Sequence, residues 1–155
     1  MKKIVSIALA VALLFALCAC TTSRANKHVD GTLSEIFTKI YENADVESPM
    51  TVETTVDDTN KASMLGTDAV DFLEGLASEA AVGSIPHSMV LIRVDNSTDV
   101  EKVKMLIREN ADPRKWICVG VEEDQVIVDS IGDLVFLVMS ADATAYHNSF
   151  KMLAK

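Results

Sequence analysis

The chain has 155 residues, 49% of them hydrophobic, and a formal net charge of −9. That length suits one compact domain, and the apolar fraction excludes a disordered chain. Nucleic acid calls for a basic face, which so acidic a chain does not supply, so no nucleic-acid partner is expected.

Met1-Lys2-Lys3 is a short positive start, and Ile4 to Leu17 is an uncharged, almost wholly apolar run of 14 residues. That length matches the apolar region of a secretory signal, whereas a spanning helix wants about 20 residues. The run closes on Leu17-Cys18-Ala19-Cys20. Leucine three residues before a cysteine, with a small residue just before it, resembles the lipobox of bacterial lipoproteins. Cys20 fits this spacing; Cys18 does not, since Phe15 and Leu17 take the corresponding places. The resemblance implies a signal peptide over 1–19, cleavage before Cys20 and a diacylglyceryl group on its thiol. Firm anchoring takes more than one acyl chain, because each buried methylene contributes only about 0.8 kcal/mol. The alternative is an uncleaved N-terminal membrane helix. Either reading places the domain outside the cytoplasm, on the outer face of the cell membrane for the lipoprotein. Residues 20–30 then form a lipidated tether and 31–155 a single domain.

Thr32-Leu33-Ser34-Glu35 has the form of a capping box, and Leu33, Ile36, Phe37, Ile40 and Tyr41 follow at helical spacing, which predicts a helix over 33–43. Val52, Thr54 and Val56 alternate, so 50–56 reads as a strand; Asp57 to Lys61 reads as a polar turn. The acidic turn lacks the glycine and the spacing of a calcium loop. For the ambiguous stretch 66–83 the expectation is a short helix over 68–74 followed by extended chain. Met89 to Val94 is apolar on both faces except for Arg93, as in a central strand. Thr98-Asp99-Val100-Glu101 reads as a second capping box opening a helix over 99–110, which Pro113 ends. The strands 125–129 and 134–140 form a hairpin, and a last helix opens at Asp142 with Tyr146, Phe150 and Leu153 inward. This order predicts an α+β fold: a mostly antiparallel sheet of about four strands covered by three to four helices.

Chemistry is sparse. His28, His87 and His147 are far apart in sequence, so no zinc spacing exists, and no metal or cofactor is expected. His28 falls in the tether, His87 in a loop after Pro86, and His147 on an exposed helix face. Nucleotide and hydrolase motifs are absent, which leaves no catalytic residue to name. Cys118, in the run Trp116-Ile117-Cys118-Val119, is expected buried and without a disulfide. Asn96-Ser97-Thr98 is a formal glycosylation sequon that coincides with the expected helix cap. The unusual segment is Asp112-Pro113-Arg114-Lys115-Trp116, with the sole Trp and an adjacent Arg-Lys pair in an acidic chain. Trp and Arg are enriched where proteins bind partners, which makes Arg114, Lys115 and Trp116 the candidate partner-binding residues. The plainer reading has Trp116 capping the core and both cations pointing to water.

Val100-Glu101-Lys102-Val103-Lys104, then Asn110 through Val119, then Leu134 to Ser140 resemble the domain of unknown function 4358 family, small exported lipoproteins of anaerobic Gram-positive bacteria. The likeness spans roughly residues 66–155. It implies a lipoprotein at the outer face of the membrane and carries over no activity. Two functions follow as expectations. The first is a non-catalytic module that binds an envelope protein, peptide or glycan while held to the membrane through lipid on Cys20. The second is a small extracytoplasmic hydrolase using dispersed residues such as His87 with Ser88 or Asp129.

Overall fold

A computed structural model describes residues 28–154. The expected signal peptide, the Cys20 lipidation site and most of the tether lie outside the described residues. Helix α1 is Leu33–Asn43, strand β1 Thr51–Thr55, helix α2 Lys61–Leu65, β2 Glu74–Ala80 and β3 His87–Arg93. Helix α3 (Val100–Asn110) follows, then β4 (Val126–Ile131), β5 (Leu134–Ser140) and α4 (Ala143–Met152). The fold is α+β, as the residue pattern predicts. The five strands form one open antiparallel sheet in the order β1-β2-β3-β5-β4.

Helices cover both faces. β3 and β5 are buried along their whole length, which is why Met89 to Ile92 and Leu134 to Met139 read as unbroken apolar runs. On one face Met89, Leu91, Phe136 and Val138 pack under Ile36, Phe37 and Ile40 of α1 and Tyr146 and Phe150 of α4. On the other, Val90, Ile92, Val135 and Leu137 pack under Val103 and Ile107 of α3, with Leu65, Val70 and Val121 completing the layer. Each large apolar side chain so buried contributes about 1.5–3 kcal/mol. The α1 capping box is complete: Glu35 N donates to Thr32 Oγ1 at 3.3 Å and Thr32 N to Glu35 Oε2 at 2.8 Å.

Several expectations need correction. No helix forms over 68–74. Instead α2 lies earlier and ends at Gly66, whose φ is +79°. A β-carbon at Gly66 would collide with the Asn110 carbonyl, so the glycine lets this loop close against the end of α3. Residues 66–73 then run irregularly, held by buried Val70 and by the Lys61 ammonium, which donates to the Val70 carbonyl at 3.4 Å. The cap of α3 is Asp99, not Thr98, with its carboxylate accepting from Lys102 N at 3.3 Å. The end of the expected tether packs on the domain: Val29 is buried and His28 lies 3.2 Å from Asp133.

Arg93 makes that attachment. It is the last residue of β3 and nearly buried, and it donates to Glu74 Oε1 at 2.8 Å and to the carbonyls of Val29 and Gly31 at 3.4 and 3.3 Å. The entering chain is thus fixed at the Arg93 end of the sheet.

Candidate functional site

The segment singled out by composition closes into a loop at the opposite end. α3 stops at Asn110, and Val121 N donates to the Pro113 carbonyl at 2.9 Å, tying the loop at its base. Lys115 does not point to water. Its Nζ lies 2.6 Å from Glu79 Oε1 and 3.1 Å from Ser88 Oγ, and 5.6 Å from the centroid of the Trp116 ring. Trp116 is half-buried against the core beneath α3. Its indole borders two clefts: one of about 420 Å³ with Arg114, Cys118, Val119 and Glu122, and one of about 340 Å³ with Met64, Glu79 and Lys115. Arg114 is exposed, and Ile117 at the tip is 87% exposed. Indole, aliphatic chain and cation thus lie side by side at this end, the residue types enriched where proteins bind partners.

Cys118 is exposed rather than buried, and its φ is +65°. Residues 116–118 form a bend and not a strand, and the left-handed backbone at Cys118 belongs to that bend.

At the same end of the sheet, on the face under α1 and α4, sits a buried polar cluster that the sequence reading missed. His87 opens β3 and is 1% exposed, not in a loop. Its Nε2 lies 2.9 Å from the Tyr41 hydroxyl and its Nδ1 3.1 Å from Ser140 Oγ. Tyr41 Oη also meets Ser78 Oγ at 2.8 Å. Burial pushes the imidazole down to about 4, against the opposing charges of Asp142 and Glu79. Burial likewise raises the Tyr41 phenol. Extending the alternation of Met89 and Leu91 two residues back would have placed His87 on this face.

His87 is not brought together with Ser88 or with Asp129. Ser88 follows His87 on β3 and faces the other side of the sheet, toward Lys115. Asp129 lies on β4, which is not a neighbour of β3. Asp129 pairs instead with His147, Nε2 to Oδ2 at 2.7 Å; His147 is partly buried rather than on an open face. Burial raises the Asp129 carboxyl, but hydrogen bonds from His147 and the Ser130 amide, with the charges of His147 and Lys104, leave it below the usual range. Among the described residues no serine or cysteine hydrogen-bonds His147, and no group of three potential metal ligands gathers. Among the same residues no helix is long and apolar enough to cross a membrane.

No family model, curated protein or solved structure matches the chain.

Proposed function

We propose that the chain is a membrane-anchored extracytoplasmic lipoprotein, lipidated on Cys20 and related to the domain of unknown function 4358 family, whose domain is a non-catalytic binding module. The sequence before residue 28 supports the anchor through the apolar run and the Leu17-Ala19-Cys20 spacing. The observation that carries the binding reading is the Trp116 corner: one half-buried indole walls two clefts, with Lys115 pinned beside it and Ile117 presented at the tip. Its position favours the same reading. The entering chain is held at Arg93, and Lys115 bonds Ser88 near the other end of the same strand, about 17 Å away at the rise of a strand. An anchored domain would therefore hold this corner away from its tether and toward an envelope protein, peptide or glycan.

The test has two arms. Cys20→Ser abolishes acyl labelling if the anchor is right; continued labelling refutes it. A photo-crosslinking residue at Ile117 in the full chain captures a discrete product in membranes, while the same residue at exposed Lys39 does not. Equal capture at both positions, or none at Ile117, refutes the corner as the binding site.

A further inference from the structure

The two edges of the sheet are finished differently. At β4 the Arg108 guanidinium lies against the strand and donates to the Val128 carbonyl at 2.7 Å. The neighbouring Asp129 is bonded to His147 and lies 3.6 Å from Lys104 Nζ. Charged side chains laid on an edge in this way block the approach of another strand.

β1 is open. Val56 N donates to the Gly75 carbonyl at 2.9 Å and Ala81 N to the Met50 carbonyl at 2.8 Å. The even-numbered residues therefore pair inward, and Thr51, Glu53 and Thr55 turn their N–H and C=O groups outward. The Asn60 amide takes the Thr55 carbonyl at 2.9 Å. The backbone groups of Thr51 and Glu53 have no partner among the described residues, and β1 is exposed along nearly its whole length.

We propose that this edge receives an extended, lysine- or arginine-bearing segment of a partner protein as an added strand. Main-chain pairing supplies the contact in such complexes, and alternate side chains supply the selection. Beside the edge, between β1, the start of β2 and the N-terminus of α1, lies a cleft of about 670 Å³. Glu53, Asp57, Asp58, Asp71 and Glu74 border it. Asp58 is paired with Lys61 at 2.7 Å and Glu74 with Arg93 at 2.8 Å. Glu53, Asp57 and Asp71 have no ion-pair partner among the described residues. Glu53 lies on the α1 side, where its Oε1 accepts from Ser34 Oγ at 3.1 Å. Alternate side chains of an added strand would descend on that side beside Glu53, where cations meet carboxylates. On the other side they would meet Val52, which is 55% exposed.

The same charge argues against a second copy of this chain. Two β1 strands joined edge to edge would set acidic side chains, Glu53 at their centre, against one another, which destabilises a pair. The site lies at the Arg93 end of the sheet and stands independently of the Trp116 corner.

The experiment uses the full chain in neutral detergent and capped nine-residue peptides of three kinds. One alternates Lys with Val, one alternates Glu with Val, and one is the Lys peptide methylated on every second backbone amide, made in both registers. The Lys peptide binds by calorimetry and the Glu peptide does not. Methylation weakens binding at least tenfold in one register although the charge is unchanged. Glu53→Lys weakens it at least tenfold as well. Failure of the Lys peptide to bind, or equal binding of the Glu peptide, overturns the basic partner. Equal binding of both methylated peptides overturns strand addition and leaves simple charge attraction. Self-association in sedimentation that Glu53→Lys disperses makes a second copy the occupant. Should Glu53→Lys fail to fold, the methylated peptides decide the matter on the native chain.

Discussion

The His87 ring is engaged on both sides: Nε2 lies 2.9 Å from the Tyr41 hydroxyl and Nδ1 3.1 Å from Ser140 Oγ. Tyr146 closes over it with ring centroids 5.2 Å apart. The imidazole thereby joins α1, β3, β5 and α4 at one end of the core, and both hydroxyls can suit a neutral ring by donating or accepting.

Stability should therefore fall in mild acid. Burial holds His87 down to about 4 in the folded chain, against an ordinary value of 6.5. The unfolded chain binds the proton first as pH drops, so stability is full above about pH 6.5 and is lost progressively toward pH 4. The complete loss is about 3 kcal/mol. Chemical denaturation at pH 7 and 4.5 measures it. His87→Gln should lower stability at pH 7 yet flatten the dependence between these values; an unchanged slope would show that other groups produce it.

The sheet's centre should carry the largest cost of truncation. Phe136 is fully buried and stacks on Phe150 with centroids 4.7 Å apart. Phe136→Ala should destabilise by about 3–5 kcal/mol and Ile107→Ala, on the other face, by about 2–5 kcal/mol. A loss under about 1 kcal/mol for either in denaturant titration would contradict the packing.

Arg93 should behave as a strut for the entering chain. Its guanidinium serves Glu74, Asp133 and the carbonyls of Val29 and Gly31 at once. Arg93→Met should cost about 3 kcal/mol, because Asp133 and the carbonyls lose their shared donor. Arg93→Lys should not restore stability, since an ammonium has no planar fork to reach all of them. Amide hydrogen exchange over Val29 to Gly31 should accelerate in both variants; unchanged exchange would mean that Arg93 does not hold this segment.

Most of the fold was legible because its signals are local. Thr32 and Glu35 cap α1 three residues apart, the 33–41 stripe faces one way, and β3 and β5 are apolar on both faces because both faces are covered. The stretch 66–73 was not legible, since what fixes it is remote: Gly66 against Asn110, and Lys61 reaching the Val70 carbonyl. The corner was half legible. An isolated Trp beside two cations in an acidic chain stood out by composition. That Lys115 turns in to Glu79, and that Cys118 turns out, depends on loop closure through Pro113 and Val121. The β1 edge was only faintly legible: Thr-Val-Glu-Thr-Thr is polar where the central strands are apolar on both faces, but which side of it stays unpaired follows from strand order.

The corner itself separates by three substitutions. Arg114 is exposed, so Arg114→Ala should leave the melting temperature nearly unchanged and reduce crosslinking from Ile117 if the binding reading is right. Lys115→Ala should do both: it reduces capture and destabilises, because Glu79 and the buried Ser88 hydroxyl lose their donor. A buried hydroxyl left unpaired costs about 1–3 kcal/mol. Trp116→Ala should cost less than the about 3–5 kcal/mol of a fully buried aromatic, since the indole is only partly buried and borders both clefts. The ratio of effects is the decisive readout. A Trp116→Ala chain that stays folded yet loses capture at Ile117 assigns the indole to the partner. One that unfolds, while Arg114→Ala leaves capture intact, assigns Trp116 to the core and removes the corner as a binding site.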